Sequence, residues 1–365
     1  MRSPRVVHIS PATFGSGGLF GGGERYALEL ARSMAEVVPT RLVSFADRPR
    51  RERVGNLDVI VLGPPWYVRG QRLNPVHPGV IRHIGWANVV HCHQRFVLGS
   101  TLAAAACRLT GRRVFVSDLG GGGWDVSAYL PAVRHLYHGF LDISRYARSV
   151  AGHDAEPQAS VVYGGVDTEK FSPDPAVPRE PLVVYAGRLL PHKGVDDLVA
   201  ALPDGLSLEL IGRPYHDRFL ADLKRLAEGK RVTFRADCDD AELVRAYRRA
   251  LCVVLPSVYR DRYGNESRVP ELLGQTLIEG MACGAPAVCT DVASMPEIVQ
   301  NDATGFIVPP NDPSALRAAL ERLRDDPTAA ARMGTAARQR VLDHFTWPAV
   351  VKRCLAAYTG ERAAT

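Results

Sequence analysis

The sequence predicts an α/β protein made of two parallel-sheet domains. Three observations carry that reading: short apolar runs alternate with helical periodicity, the alternation occurs twice, and a proline-rich stretch separates the two halves. A length of 365 residues agrees, at roughly 100–200 residues per domain. In the first half, strands are expected over 6–10, 40–45, 57–62, 89–91 and 113–117, each short and mostly apolar. A helix is expected from Glu24, where Tyr26, Leu30 and Met34 repeat every four residues beside a row of Ala27, Ala31 and Ala35. Residues 171–178 hold Pro173, Pro175 and Pro178 and read as a linker. The alternation then restarts. Strands are expected over 182–186, 206–211, 231–234, 252–255, 286–290 and 305–308. Helices fit 195–202, 216–227, 240–250, 275–282 and 313–324, one of them capped by Asp239 or Asp240. An amphipathic segment follows over 344–358. Two Rossmann-like domains in sequence would face a central cleft, with ligands beyond the carboxyl ends of the strands.

Composition narrows the function classes. Hydrophobic residues make up 46% and charged residues 23%, the balance of a soluble globular protein. Seven cysteines, an odd number with no C-x-x-C pair, fit buried thiols in a reducing compartment. Residues 1–10 lack a signal-peptide core, and no run of ~18 apolar residues could span a bilayer. A cytoplasmic location is expected. Charge is uneven: residues 1–150 hold 19 Arg, no Lys and 9 acids, a net of +10, while the remainder holds 26 basic and 30 acidic residues, a net of −4. A basic half suits an anionic acceptor or an anionic inner membrane face, or it is a solvated Arg-rich surface.

Four motifs carry candidate chemistry. The first expected strand leads through a glycine-rich stretch ending Gly21-Gly22-Gly23 into the helix at Glu24. Glycines let a backbone approach a ligand, and a helix start favours phosphate. The dinucleotide fingerprint G-x-G-x-x-G fails, because Phe20 stands where its third glycine belongs. A second glycine run, Gly120–Gly123, precedes Trp124 and Asp125; ligand contact and a loop anchor are equally open. Next, Arg188 and Lys193 lie five residues apart between a strand and a helix. Two cations there suit a departing diphosphate, or are solvated surface charges. Finally, Glu271 and Glu279 are eight apart. Gly274 breaks the run, placing Glu271 in a loop and Glu279 in a helix with apolar neighbours Leu277, Ile278 and Met281. No G-x4-G-K-[ST] is present, which excludes P-loop chemistry.

Taken in order, these residues resemble the retaining glycosyltransferases of the GT4 family, whose fold is GT-B. Arg188…Lys193, Glu271-x7-Glu279 and Met281-Ala-Cys-Gly-Ala-Pro286 carry the resemblance. So do Gly165-Val-Asp…Phe171-x-Pro173, Pro256-Ser257 and Phe345-Thr-Trp347, and it covers nearly the whole chain. It implies an acceptor-binding domain over 1–170, a donor domain over 171–345 and a helix over 346–365 crossing back to the first. It further implies that Arg188 and Lys193 hold the diphosphate of a nucleotide-sugar and that Glu279 binds the ribose. Glu271 would contact the donor sugar. Gly274, Gln275 and Thr276 would face sugar and phosphate, Gly22 and Gly23 the diphosphate, and Arg213 the base.

The expected partners are a nucleotide-sugar, UDP-linked first and GDP-mannose second, and a hydroxyl acceptor such as a lipid or glycan precursor or an aminoglycoside-like core. No nucleic acid, cofactor or metal is expected, the cations doing a metal's work. Two departures stand out. Leu119 takes the place of a family histidine, for which His93 and His91 are substitutes, and His93, Asp118, Trp124 and Asp125 become acceptor-side candidates. A longer polar stretch, 258–270, precedes Glu271 and holds Glu266 as a competitor for its role. A nucleotide-sugar epimerase and a non-catalytic sugar-nucleotide-binding protein are the alternatives.

Overall fold

The computed structural model describes residues 3–13, 22–120, 128 and 130–361. They form two compact units, one of Met1–Gly165 with Trp347–Thr365, the other Val166–Thr346.

The first unit is built on strands β1 (Val6–Thr13), β2 (Thr40–Phe45), β3 (Arg50–Val54), β4 (Leu57–Leu62), β7 (Val89–Cys92), β8 (Arg113–Val116), β9 (Gly139–Asp142) and β10 (Ala159–Val161), with β5 (Trp66–Tyr67) and β6 (Pro75–Val76) as a separate small ribbon. The sheet order is β10-β9-β8-β7-β1-β2-β4-β3. Every pairing is parallel except β3 with β4. The chain moves outward from β1 through β2 and β4, then restarts at β7 on the other side of β1. That reversal makes the β1/β7 junction the topological switch point. The helix Gly22–Ala35 buries Tyr26, Ala27, Leu30, Ala31 and Met34, the two rows its spacing foretold. The basic run at 48–53 forms the exposed edge strand β3, where Arg51 pairs with Asp58 at 2.9 Å and Arg50 with Glu52. Charged side chains on an edge strand discourage pairing with another chain.

The second unit holds β11 (Leu182–Ala186), β12 (Ser207–Ile211), β13 (Val232–Arg235), β14 (Cys252–Leu255), β15 (Ala287–Thr290) and β16 (Gly305–Val308). They are all parallel, in the order β13-β12-β11-β14-β15-β16. Helices cover both faces, so β11, β14 and β15 are buried along their full length. The helix Asp240–Arg249 opens on a capping box: Asp239 accepts from the Glu242 N–H at 2.7 Å, and the Glu242 carboxylate accepts from the Asp239 N–H at 3.0 Å. Among the described residues no helix is long and apolar enough to cross a membrane.

Candidate functional site

In the second sheet the chain runs β11, β12, β13 to one side and then β14, β15, β16 to the other, so its switch point lies between β11 and β14. The loops leaving those two strands carry the residues singled out by their chemistry. After β11, a single 3-10 turn, Pro191–Lys193, leads to Gly194. Gly194 has φ +63°, and a Cβ there would lie 2.0 Å from the Pro256 carbonyl oxygen. Only glycine lets the β11 turn sit directly on the end of β14. A hydrogen bond from the Val258 N–H to the His192 carbonyl, 2.9 Å, fixes the same contact.

This approach brings Lys193 to Glu271. Lys193 is 9% exposed. Its Nζ donates to Glu271 Oε2 at 2.7 Å and to the Pro270 carbonyl at 2.8 Å. An ammonium has three donors, so one N–H of Lys193 remains for a ligand. Arg188, in contrast, is exposed and makes no ion pair or side-chain hydrogen bond among the described residues. Burial, with Lys193 and Arg188 nearby, pushes the His192 imidazole below its usual pKa, so it stays neutral beside them.

Gly274 adopts φ +75° and caps the helix Gln275–Ala282, with Gln275 and Thr276 in its first turn. Glu271 therefore lies in the preceding loop and Glu279 within the helix. Glu279 is 5% exposed, and the Tyr247 hydroxyl donates to its Oε2 at 3.5 Å. Glu266, the competitor for the role of Glu271, is exposed and lies in the polar stretch, where it bridges Arg260 through the backbone. That stretch is anchored by the Tyr263 hydroxyl on Asp222 (2.5 Å) and by the Tyr259 hydroxyl, which accepts from the Ala293 N–H (2.9 Å). At the end of β14, the Ser257 hydroxyl is buried without a hydrogen-bond partner among the described residues. Arg213 follows β12, largely exposed, 3.6 Å from Asp237. Asp237-Cys238-Asp239 has the Asp-x-Asp spacing of many metal-binding pairs, but Asp239 is committed to capping its helix.

The remaining candidates belong to the first unit. The backbone of Gly22 and Gly23 forms the opening turn of the helix Gly22–Ala35, and Trp124 and Asp125 lie outside the described residues. Asp118 follows β8 and accepts from the Gly120 N–H at 3.0 Å; burial raises its pKa. His93 is 2% exposed and belongs to a buried trio with His8 and His91. His8 and His91 sit side by side on β1 and β7.

The hydrogen bonds assign tautomers to this trio. The Tyr358 hydroxyl donates to His91 Nδ1 (2.8 Å), and His91 Nε2–H donates to Ser117 Oγ (2.8 Å), which donates to the Leu141 carbonyl (2.8 Å). His8 Nε2–H points at Met34 Sδ (3.3 Å), leaving His8 Nδ1 to accept from His93 Nε2–H (2.8 Å). Burial drives the His8 pKa down to about 3 and depresses those of His91 and His93 strongly. The trio is thus a neutral ladder tying helix Trp347–Thr359 to the sheet. Sequence reasoning missed His8; the signal was its register beside His91, which needs the strand pairing to be seen.

The model of the family described as "Glycosyl transferases group 1" matches residues 167–340. A GDP-mannose-dependent alpha-(1-6)-phosphatidylinositol monomannoside mannosyltransferase of Mycobacterium tuberculosis is 31% identical over 295 residues, 72% of this chain and 74% of that one. A glycogen synthase of the same species is 34% identical over 221 residues, 56% of this chain and 50% of that one, so the chain spans about half of that relative's length. Among solved structures, a sucrose-phosphate synthase from Thermosynechococcus elongatus superposes with a TM-score of 0.73 at 21% identity, covering 98% of each chain. The catalytic domain of starch synthase IV from Arabidopsis thaliana gives 0.72 at 15%, covering 98% of this chain and 99% of that one.

Proposed function

We propose, on the premise that this chain belongs to the glycosyl transferases group 1 family and has the GT-B fold, that it moves a hexosyl unit from a nucleotide diphosphate-sugar to a hydroxyl acceptor with retention of anomeric configuration. One observation carries the reading: at the switch point of the second sheet, a buried lysine with an uncommitted N–H meets a glutamate, with an exposed arginine on the same loop. Lys193 and Arg188 stabilise charge as it builds on the departing diphosphate. Glu271 orients Lys193 and accepts from a donor-sugar hydroxyl. Glu279 takes the ribose hydroxyls, and the helix start at Gly274, Gln275 and Thr276 offers N–H groups to sugar and phosphate.

Transfer passes through oxocarbenium-like charge at the anomeric carbon. The bond from that carbon to the diphosphate oxygen breaks, and its electron pair leaves with the diphosphate. The acceptor oxygen attacks from the same face, and its proton passes to the departing phosphate oxygen. A trapped glycosyl-enzyme intermediate would overturn this same-face path. The donor is a UDP-hexose in the first reading. GDP-mannose is the second, favoured by the relative named for it. Because placed cations neutralise the diphosphate, turnover is expected to survive EDTA. The test is nucleotide release from a panel of UDP-, GDP- and ADP-hexoses, with the product's anomeric configuration read by NMR. Release of no nucleotide from any donor would refute the reading, and epimerised donor without transfer would replace it.

A further inference from the structure

We infer that the first unit carries a binding pocket for the apolar chain of an amphiphilic acceptor, at the carboxyl ends of β1 and β2. Its role as an acceptor pocket rests on the transfer reading above; the pocket's chemistry does not. A cavity of about 280 Å³ opens there, lined by Ile9 and Pro11 of β1, Phe45 of β2, Val80 and Ile81 of the helix Val80–Trp86, and Ala103 of the helix Leu98–Leu109, among others. Among the described residues no charged side chain lines it. Among the described residues its polar side chains are His77, whose Nδ1 accepts from the Gly79 N–H at 3.0 Å, and Ser100, whose hydroxyl bonds Cys92. A polar ligand would lose hydration here with little to replace it, whereas an alkyl group gains by leaving water.

Size and position define the occupant further. Small-molecule pockets run about 300–1,000 Å³, so this one takes a chain or a single ring and leaves a head group outside. Its mouth is marked by two exposed apolar residues, Ile81 at 55% and Leu102 at 47%. β1, which contributes Ile9 and Pro11, is one of the two strands at the switch point, where ligands of parallel sheets gather. An alkyl tail seated here holds its head at the sheet end where substrate is expected.

The test compares octyl β-D-glucoside with methyl β-D-glucoside, both below micelle-forming concentrations, by isothermal titration calorimetry on the full chain. The octyl compound is expected to bind at least about tenfold tighter. Leu102→Asp and Ile81→Asp, both at solvent-exposed positions, are expected to abolish that preference while the unfolding midpoint stays within about 2 °C of the parent. Equal affinity for the two glucosides, or an octyl preference that survives both substitutions, would overturn the proposal. Octyl binding lost in the variants, in a protein that turns over no nucleotide-sugar, would uphold the pocket and overturn the transfer reading instead.

Discussion

Removing the Lys193 ammonium has two separable consequences. It takes away charge that faces the diphosphate, and it strands Glu271, whose side chain is only 18% exposed. Losing one preorganised electrostatic partner costs about 10²–10³ in kcat. Stranding a partly buried carboxylate costs about 1–3 kcal/mol of stability. Lys193→Met is therefore expected to lower kcat by that factor with a small change in acceptor KM, and to lower the unfolding midpoint. Adding Glu271→Gln removes the stranded charge. The double variant is expected to regain most of the stability and none of the activity, measured by denaturant unfolding and by nucleotide release at saturating donor. A double variant that recovers turnover would make the pair structural. Part of this site is legible in the sequence. Gly274 marks the break, so Glu271 in a loop and Glu279 in a helix follow from local chemistry. The pairing of Lys193 with Glu271 does not, because 78 positions separate them and only the neighbouring places of β11 and β14 in the sheet bring them together.

The turn that joins β11 to the helix Val195–Ala201 depends on a single backbone approach. A Cβ on Gly194 meets the Pro256 carbonyl oxygen at 2.0 Å in a left-handed conformation, whereas a Cβ on Gly229, also left-handed at φ +74°, meets nothing within 4 Å. Gly229→Ala carries the conformational cost alone, about 1 kcal/mol. Gly194→Ala adds a clash that only moving the turn off β14 can relieve. It is expected to cost about 3 kcal/mol or more and to reduce turnover, since the movement separates Lys193 from Glu271. Thermal unfolding and nucleotide release on both variants check this; equal effects of the two would contradict it. The same dependence on context explains which elements the sequence discloses. β2, β4, β11, β14 and β16 lie on the expected residues because buried parallel strands read as short, mostly apolar runs. Arg50–Val54 was legible only as charge: its side chains are all exposed, and its strand state comes from hairpin pairing with β4 through Gly55. The helix Leu98–Leu109 was missed because four consecutive alanines leave no polar face to set a period.

Across the whole chain, the response to acid is set by a few buried groups in each unit. In the first, His8, His91 and His93 are neutral when folded, with pKa values below the usual 6.5 because burial penalises the cation. A depressed folded pKa gives stability that is full above the unfolded value and lost as pH falls below it. Three such groups bring the slope toward three protons, at most about 4 kcal/mol per pH unit. In the second unit, burial first and Asp196 next raise the Asp197 carboxyl to about 6. A raised carboxyl pKa works the other way: its contribution is full below about pH 4 and lost as pH rises through 6. Asp197→Asn is thus expected to stabilise the second unit at pH 7.5 by about 1 kcal/mol. The full linkage value would be about 3 kcal/mol, but the side chain is partly solvated. Between pH 6.5 and 4.5 the first unit therefore loses stability to three histidines, while in the second unit the gain at Asp197 opposes the loss at His192, whose pKa burial also lowers. Hydrogen exchange read by mass spectrometry across that range is expected to show β1 and β7 losing protection before β11 and β14. His8→Gln, which removes one titrating ring yet keeps a hydrogen-bonding side chain, should flatten the first unit's pH slope by about one proton. Loss of protection in both units together, or in the second unit first, would show that the buried histidine ladder does not govern acid stability.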